Sequence, residues 1–226
     1  MSDNKAVVLF SGGIDSTTCL ALARAQGFTC NTLSFSYGQK HQAELVAAEK
    51  IARHYQVAQH QVIELPIGKW GSSALTDASI AVPQHQADQG ITTTYVPGRN
   101  SVFLALAVSY AESIGAFDVF FGACDADHSG FPDCRPSYIR AFEAAINQGL
   151  NLAPGQRMQI HAPLLNLTKQ ETLNLGVKLG VDYSLTVTCY QATADGLACG
   201  VCSSCQIRHQ GFLAADLPDV TRYVKN

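Results

Sequence analysis

Two short stretches of this chain carry side chains whose type and spacing could do chemistry. The first is Ser11-Gly12-Gly13-Ile14-Asp15-Ser16-Thr17-Thr18, which follows the apolar run from Ala6 to Phe10. Paired glycines turn sharply and let an anion approach N–H groups that a Cβ would shield. Hydroxyls and a carboxylate follow where a helix should begin, with its orphan N–H donors and positive dipole end. A strand, a glycine turn and a helix start in that order form an anion site. The second stretch is Cys199-x-x-Cys202-x-x-Cys205, with Cys189 ten residues upstream. Gly196 and Gly200 let the backbone there curl around an ion. Four thiolates suit one structural Zn²⁺ in a closed tetrahedral site. The same spacing also suits an iron–sulfur cluster, although the Cys-Pro continuation of that pattern is absent.

Other candidates are single residues. Lys40 follows the second expected strand, in Tyr37-Gly38-Gln39-Lys40-His41. It reads equally as a phosphate contact or as a solvated lysine. Arg99, in Pro97-Gly98-Arg99-Asn100, stands before a helix that Asn100 would cap, and could reach a phosphate. Lys169 lies in the first turn of a helix opened by the capping box Thr168-x-x-Glu171. A cation there opposes the helix dipole, so an anionic ligand is expected beside it. After the fourth strand comes a polar loop holding Asp125, Asp127, His128, Phe131, Asp133 and Arg135. Its position is that of a substrate loop.

These residues need a scaffold, and the hydrophobic pattern supplies one. Strands are expected over 6–10, 28–36, 62–65, 118–122 and 159–164, with helices over 16–26, 42–55, 101–114, 138–148, 168–179 and 205–214. Strands alternating with helices predict an α/β fold, a doubly wound parallel sheet. Ligands then belong at the carboxyl ends of the strands. Residues 66–96 read as a long loop or lid. The expected division is a nucleotide-binding and catalytic domain over 1–186 and a C-terminal zinc-binding segment over 187–226, packed on it.

The 226 residues suffice for one substantial core, and 47% hydrophobic with 15% charged residues describes a globular chain. A net charge of −3 offers no general field for nucleic acid. No signal peptide is visible, and no stretch nears the ~18 apolar residues of a membrane span. A cytoplasmic protein is expected, in which clustered cysteines point to metal rather than to disulfides.

The motif Ser11-Gly12-Gly13-Ile14-Asp15-Ser16 resembles the signature of the PP-loop (N-type) ATP pyrophosphatases, whose fold is of the adenine nucleotide alpha hydrolase-like type. The rest of the chain narrows the resemblance. It carries Gly38-Gln39-Lys40-His41 with Glu44-Leu45, then Val96-Pro97-Gly98-Arg99-Asn100. It continues with Asp127-His128-Ser129-Gly130-Phe131-Pro132-Asp133-Cys134-Arg135, Leu167-Thr168-Lys169 and the cysteine tetrad. This is similar to the 7-cyano-7-deazaguanine synthase family of queuosine biosynthesis. His128 departs from the pattern, where many relatives carry Tyr.

The resemblance implies that 7-carboxy-7-deazaguanine, ATP and ammonia give the nitrile through an adenylate and an amide. It implies ATP with Mg²⁺ bound by Phe10, Ser11, Gly12, Gly13, Ile14, Asp15, Ser16, Thr17, Thr18 and Arg99. Ser11, Asp15, Ser16, Lys40 and Lys169 are the expected catalytic set. The guanine-like edge presents two parallel donors, which a carboxylate matches with two acceptors. Asp133 is favoured for that role and Asp127 is second. Phe131 would stack on the base, and Arg135 would meet the substrate carboxylate or form a structural ion pair. Expected partners are small molecules, without nucleic acid or membrane, in a homodimer. Two rival readings are a PP-loop tRNA sulfurtransferase using Cys124 and Cys134, and a zinc-containing nucleic-acid-binding protein.

Overall fold

The computed structural model describes residues 4–84, 90–124 and 130–225. The five strands β1 (Lys5–Leu9), β2 (Thr29–Ser36), β3 (Gln59–Glu64), β4 (Asp118–Phe120) and β5 (Gln159–His161) form one sheet in the order β3-β2-β1-β4-β5. Every neighbouring pair is parallel. The α-helices among the described residues are α1 (Ile14–Ala25), α2 (Ala43–His54), α3 (Arg99–Ser113), α4 (Pro136–Gly149), α5 (Lys169–Lys178) and α6 (Ser203–Ala214).

The central strand divides the core by its alternation. Val7 and Leu9 pack with Leu104, Ala107 and Val108 of α3 and Ile139 of α4. Ala6, Val8 and Phe10 pack with Leu20 and Ala23 of α1 and Ala48 and Ile51 of α2. Both faces of β1 are thus covered, which is why its sequence is an unbroken apolar run. A smaller layer joins Ile14 and Ala21 of α1 to Leu173 of α5 and Phe212 of α6. The strands are laid down outward on one side as β1, β2, β3 and on the other as β4, β5, so the order switches between β1 and β4, and a crevice opens at such a switch point.

Several boundaries differ from expectation for local reasons. β3 begins at Gln59 rather than residue 62. It is an edge strand whose Gln59, His60 and Gln61 stay partly exposed, so no apolar run announces them. α3 begins at Arg99, with Gly98 as its N-cap in the left-handed region (φ +65°). Asn100 is therefore a buried first-turn residue and not the cap. α4 starts at Pro136, whose fixed φ suits a first turn. The capping box at α5 forms as expected between Thr168 and Glu171. Residues 66–96 are not a lid where they are described. Ile67, Leu75 and Val96 are buried in the α3-side layer, while Ala74 and Val82 pack near the cysteines.

The C-terminal segment returns to the start of the chain. Val187 N donates to Gly12 O at 3.0 Å. Buried Arg208 of α6 donates to Thr186 Oγ1 at 2.7 Å and Tyr183 O at 2.9 Å. Among the described residues, no helix is long and apolar enough to cross a membrane.

Candidate functional site

A cleft of about 260 Å³ opens at the carboxyl ends of β1, β2 and β4, between the glycine loop and α3. Ser11, Gly13, Asp15 and Ser16 line one side of it. Gly13 is the N-cap of α1, and no side chain caps the helix. The first-turn donors of α1 are thus left to a ligand. Ser11 Oγ and Ser16 Oγ lie 3.2 Å apart, and Ser11 N donates to Ser16 Oγ at 3.2 Å.

The two glycines have different duties. Gly12 has φ +79°, and a Cβ there would stand 2.6 Å from Ala48 N and 2.7 Å from Glu44 O of α2. The close helix, rather than an approaching anion, demands that glycine. At Gly13 a Cβ would meet Thr188 Cγ2 at 3.2 Å and Ser11 Oγ at 3.4 Å, with Val187 O at an ordinary 3.7 Å. Gly13 is the glycine that faces the cleft.

The side chains of Ile14, Thr17 and Thr18 turn away from the cleft. Ile14 is buried against Leu173 and Val181. Thr17 Oγ1 donates to Gly13 O at 2.8 Å, and Thr18 Oγ1 meets Tyr183 OH at 2.8 Å. These three brace the loop from behind. Phe10 lines the cleft floor.

Lys169 reaches across from α5, with Nζ 2.5 Å from Asp15 Oδ1 and 3.7 Å from Cys124 Sγ. The charge misfit expected in the first turn of α5 is answered by Asp15 and requires no ligand. Lys40 is not brought to the cleft. It is exposed and donates to Ile80 O at 2.7 Å.

Arg99 lines the opposite wall. Its Nε donates to Asn100 Oδ1 at 3.2 Å and its Nη1 to Tyr37 OH at 3.3 Å. The guanidinium lies 5.7 Å from the Tyr37 ring centre and 5.8 Å from that of Phe103. Phe35 stacks on Phe103 at 4.0 Å, so this wall is aromatic.

The substrate-loop expectations fare unevenly. Phe131 lines the cleft and meets Tyr95 edge-on at 6.3 Å. Asp133 does not line it. It is 4% exposed, and both of its oxygens accept hydrogen bonds from Asn100. Those acceptors organise the start of α3, and the structure does not bring Asp133 to the cleft with the other expected substrate contacts. Arg135 is exposed and outside the cleft lining. Asp127 and His128 lie outside the described residues.

Sequence reasoning passed over Glu44 as a chemical group. It lines the cleft from the first turn of α2, where it reads as an ordinary surface acid. Burial pushes its carboxyl up to about 7, while Arg99 and a hydrogen bond from Gln39 pull the other way. Thr188, Tyr190 and Ser204 also line the cleft and come from the cysteine-bearing segment.

The four sulfurs of Cys189, Cys199, Cys202 and Cys205 lie within 4.8 Å of one another. Cys189 and Cys199 stand 3.9 Å from Cys202 and Cys205 respectively, and Cys202 stands 3.6 Å from Cys205. A tetrahedral site with ~2.3 Å bonds spaces its sulfurs by roughly 3.8 Å, so the tetrad fits a metal ion. In the tetrad of thiols, the contact with Cys202 and burial push Cys189 up to about 12, while backbone N–H groups of Cys199 and Gln191, donating to its Sγ at 3.2 and 3.3 Å, pull the other way. Hydrogen bonds from Cys189 and Cys205 hold the Cys202 thiol well below the ordinary range.

The family model described as Queuosine biosynthesis protein QueC matches residues 5–216. A 7-cyano-7-deazaguanine synthase of Legionella pneumophila is 55% identical, over 98% of this chain and 97% of its own. Proteins of the same name from Coxiella burnetii and Ectopseudomonas mendocina are each 53% identical. They cover 97% and 99% of this chain and 98% and 100% of their own. Among solved structures, NMN synthetase from Francisella tularensis aligns with a TM-score of 0.51 at 16% identity, over 96% of this chain and 78% of that one. A 4-thiouridine synthetase solved with RNA and bound ATP gives 0.50 at 17%, over 94% of this chain and 50% of that one. Those two likenesses speak for the fold alone, a PP-loop ATPase-like sheet. Matched from β1 to the end of α6, with more than half its residues shared with named synthases, the chain belongs to the 7-cyano-7-deazaguanine synthase (QueC) family.

Proposed function

We propose that this chain is an ATP-dependent carbon–nitrogen ligase that converts 7-carboxy-7-deazaguanine and ammonia to 7-cyano-7-deazaguanine. The observation that carries the reading is the uncapped N-terminus of α1, lined by Ser11, Gly13, Asp15 and Ser16, at the β1/β4 switch point of a family member. A carboxylate oxygen is a poor leaving group, and transfer of AMP makes it a good one. Ammonia displaces AMP and leaves an amide. A second AMP transfer activates the amide oxygen, whose loss gives the nitrile. The protein then need not form a bond of its own, and its task is positioning and charge neutralisation.

In this reading the α1 N–H groups and the Ser11 and Ser16 hydroxyls hold phosphate oxygens. Lys169 keeps Asp15 oriented at the loop. Mg²⁺ would be held mainly by phosphate and water, with Asp15 as its carboxylate ligand. Arg99 faces the transferred phosphate or the substrate carboxylate from the aromatic wall. Phe131 stacks on a ring in the cleft. The Cys189, Cys199, Cys202 and Cys205 site holds one structural Zn²⁺, which ties residues 187–226 together as a segment packed on the catalytic domain over 1–186. We further propose a cytoplasmic homodimer; that it acts on small molecules rather than nucleic acid is supported by the net charge of −3. Incubation with Mg-ATP, ammonium and 7-carboxy-7-deazaguanine should yield AMP and the nitrile by mass spectrometry. Absence of an acid-dependent AMP signal overturns the reading.

A further inference from the structure

We propose that Glu44 is the base that takes the protons shed by the incoming nitrogen. This rests on the reaction proposed above. Nitrogen enters as NH₃ and leaves as a nitrile with no hydrogen. Three N–H bonds therefore break along the way. One proton leaves when ammonia displaces AMP from the acyl adenylate. A second leaves when the amide oxygen takes the second AMP and the nitrogen becomes an imidate N–H. The third leaves as the C–O bond to AMP breaks and the C≡N bond forms. Each proton needs an acceptor within the cleft, because water must be kept from an adenylate that it would hydrolyse.

The placement of Glu44 suits that task. Gln39 Nε2 donates to Glu44 Oε1 at 3.3 Å. The same amide nitrogen donates to Phe35 O at 3.1 Å, while Gln39 Oε1 accepts from Tyr37 N at 2.7 Å. Those contacts fix which way the amide points, so Glu44 Oε1 faces a donor. Among the described residues no hydrogen bond reaches Oε2, which leaves it for the cleft. Arg99 of α3 and Tyr37 after β2 are the ionisable groups beside the carboxyl. Further along the lining, Asp15 of α1 is held in its ion pair with Lys169. His41 lines the cleft too, but its Nδ1 is buried and the ring stands near Cys202. A carboxyl that titrates near neutrality accepts and releases protons at working pH, as a base used three times must.

Glu44→Gln keeps the shape and an acceptor for Gln39 but removes the base. Adenylation alone transfers no proton from nitrogen. It is read by acid-dependent exchange of labelled pyrophosphate into ATP without ammonia. The variant should exchange within about twofold of wild type, while conversion of supplied amide to nitrile falls by roughly 10²- to 10³-fold. Amide conversion avoids the titration of ammonium itself. In wild type its single-turnover rate should rise with pH and level off above about 7. Normal amide conversion by Glu44→Gln overturns the assignment. So does loss of exchange together with conversion, which would place Glu44 in binding or folding. Independently of any variant, a flat wild-type profile between roughly pH 5.5 and 9 overturns it. Absence of exchange in wild type would instead sink the proposed reaction, and this assignment with it.

Discussion

Asn100 occupies both oxygens of Asp133, its backbone N donating to Oδ2 at 3.0 Å and its Nδ2 to Oδ1 at 3.1 Å. Asn100 Oδ1 in turn accepts from Arg99 Nε at 3.2 Å. A buried carboxylate thus sets the first turn of α3, and through it the guanidinium in the cleft. In Asp133→Asn an amide NH₂ must face one of those donors. Loss of one charge-assisted bond should cost about 2 kcal/mol in a denaturant titration. KM should rise for whichever ligand Arg99 meets. A variant with unchanged stability and unchanged KM would refute this linkage.

Alanine substitutions at the two loop glycines should separate packing from ligand approach. Gly12→Ala sets a Cβ against the α2 backbone in a left-handed conformation, so a clear fall in melting temperature is expected. In Gly13→Ala the tight contacts are with side-chain atoms that can yield by a few tenths of an ångström, and the one backbone neighbour stands at an ordinary 3.7 Å. It should melt close to wild type and bind ATP at least tenfold more weakly. Calorimetric titration of both proteins would check this, and normal affinity in Gly13→Ala would move the phosphates elsewhere.

Lys169 and Asp15 should act as a unit. Lys169→Met and Asp15→Asn are each expected to lower the rate of pyrophosphate exchange by about tenfold or more. The double variant should lose far less than the product of the two losses, because each change already breaks the same 2.5 Å contact. Independent, multiplicative losses would show that the pair is not coupled in catalysis.

The cysteine tetrad predicts one Zn²⁺ per chain after anaerobic purification. Changing any one of Cys189, Cys199, Cys202 or Cys205 to Ser should abolish stoichiometric metal and lower the melting temperature. Elemental analysis decides the ion. Iron with equimolar sulfide and visible absorbance would replace zinc by a cluster and favour sulfur-transfer chemistry.

Acid should loosen the C-terminal tail through Asp219. Burial works against its charge, yet hydrogen bonds from Thr221, His209 and Tyr223 pull it down to about 2. A carboxyl depressed in the folded chain stabilises above its unfolded value near 4, and that stability drains away as pH falls towards 2. Asp219→Asn should therefore be less stable than wild type by about 1 kcal/mol at pH 6, allowing for solvent screening, and by only about a third of that at pH 2.5. A gap that did not narrow in acid would rule out this origin.

What the sequence disclosed and what it hid divide along chain distance. The β1 run, the glycine turn and the Cys199-x-x-Cys202-x-x-Cys205 spacing are local, and each is legible from a few consecutive residues. The pairing of Asp15 with Lys169 spans 154 positions, and that of Asn100 with Asp133 spans 33. Nothing in either stretch announces its partner. Asp133 reads as a free carboxylate and proves occupied, while Lys169 reads as a misfit and proves matched. Glu44 was hidden for the opposite reason. Acids are ordinary in the first turn of a helix, and only the fold of α2 over the loop makes this one a cleft group.

The hydrogen bond from Val187 to Gly12 carries a consequence for synthesis. The glycine loop leaves the ribosome before any of the sheet's other strands. The N–H that holds its carbonyl, and the Thr188, Tyr190 and Ser204 that complete the cleft, follow only after β5. A chain translated only as far as β5 can pair its strands but cannot finish its cleft. Completion of the cleft is thereby deferred until Ser204 has emerged, and a product truncated before Val187 would keep the sheet yet lack a finished cleft wall.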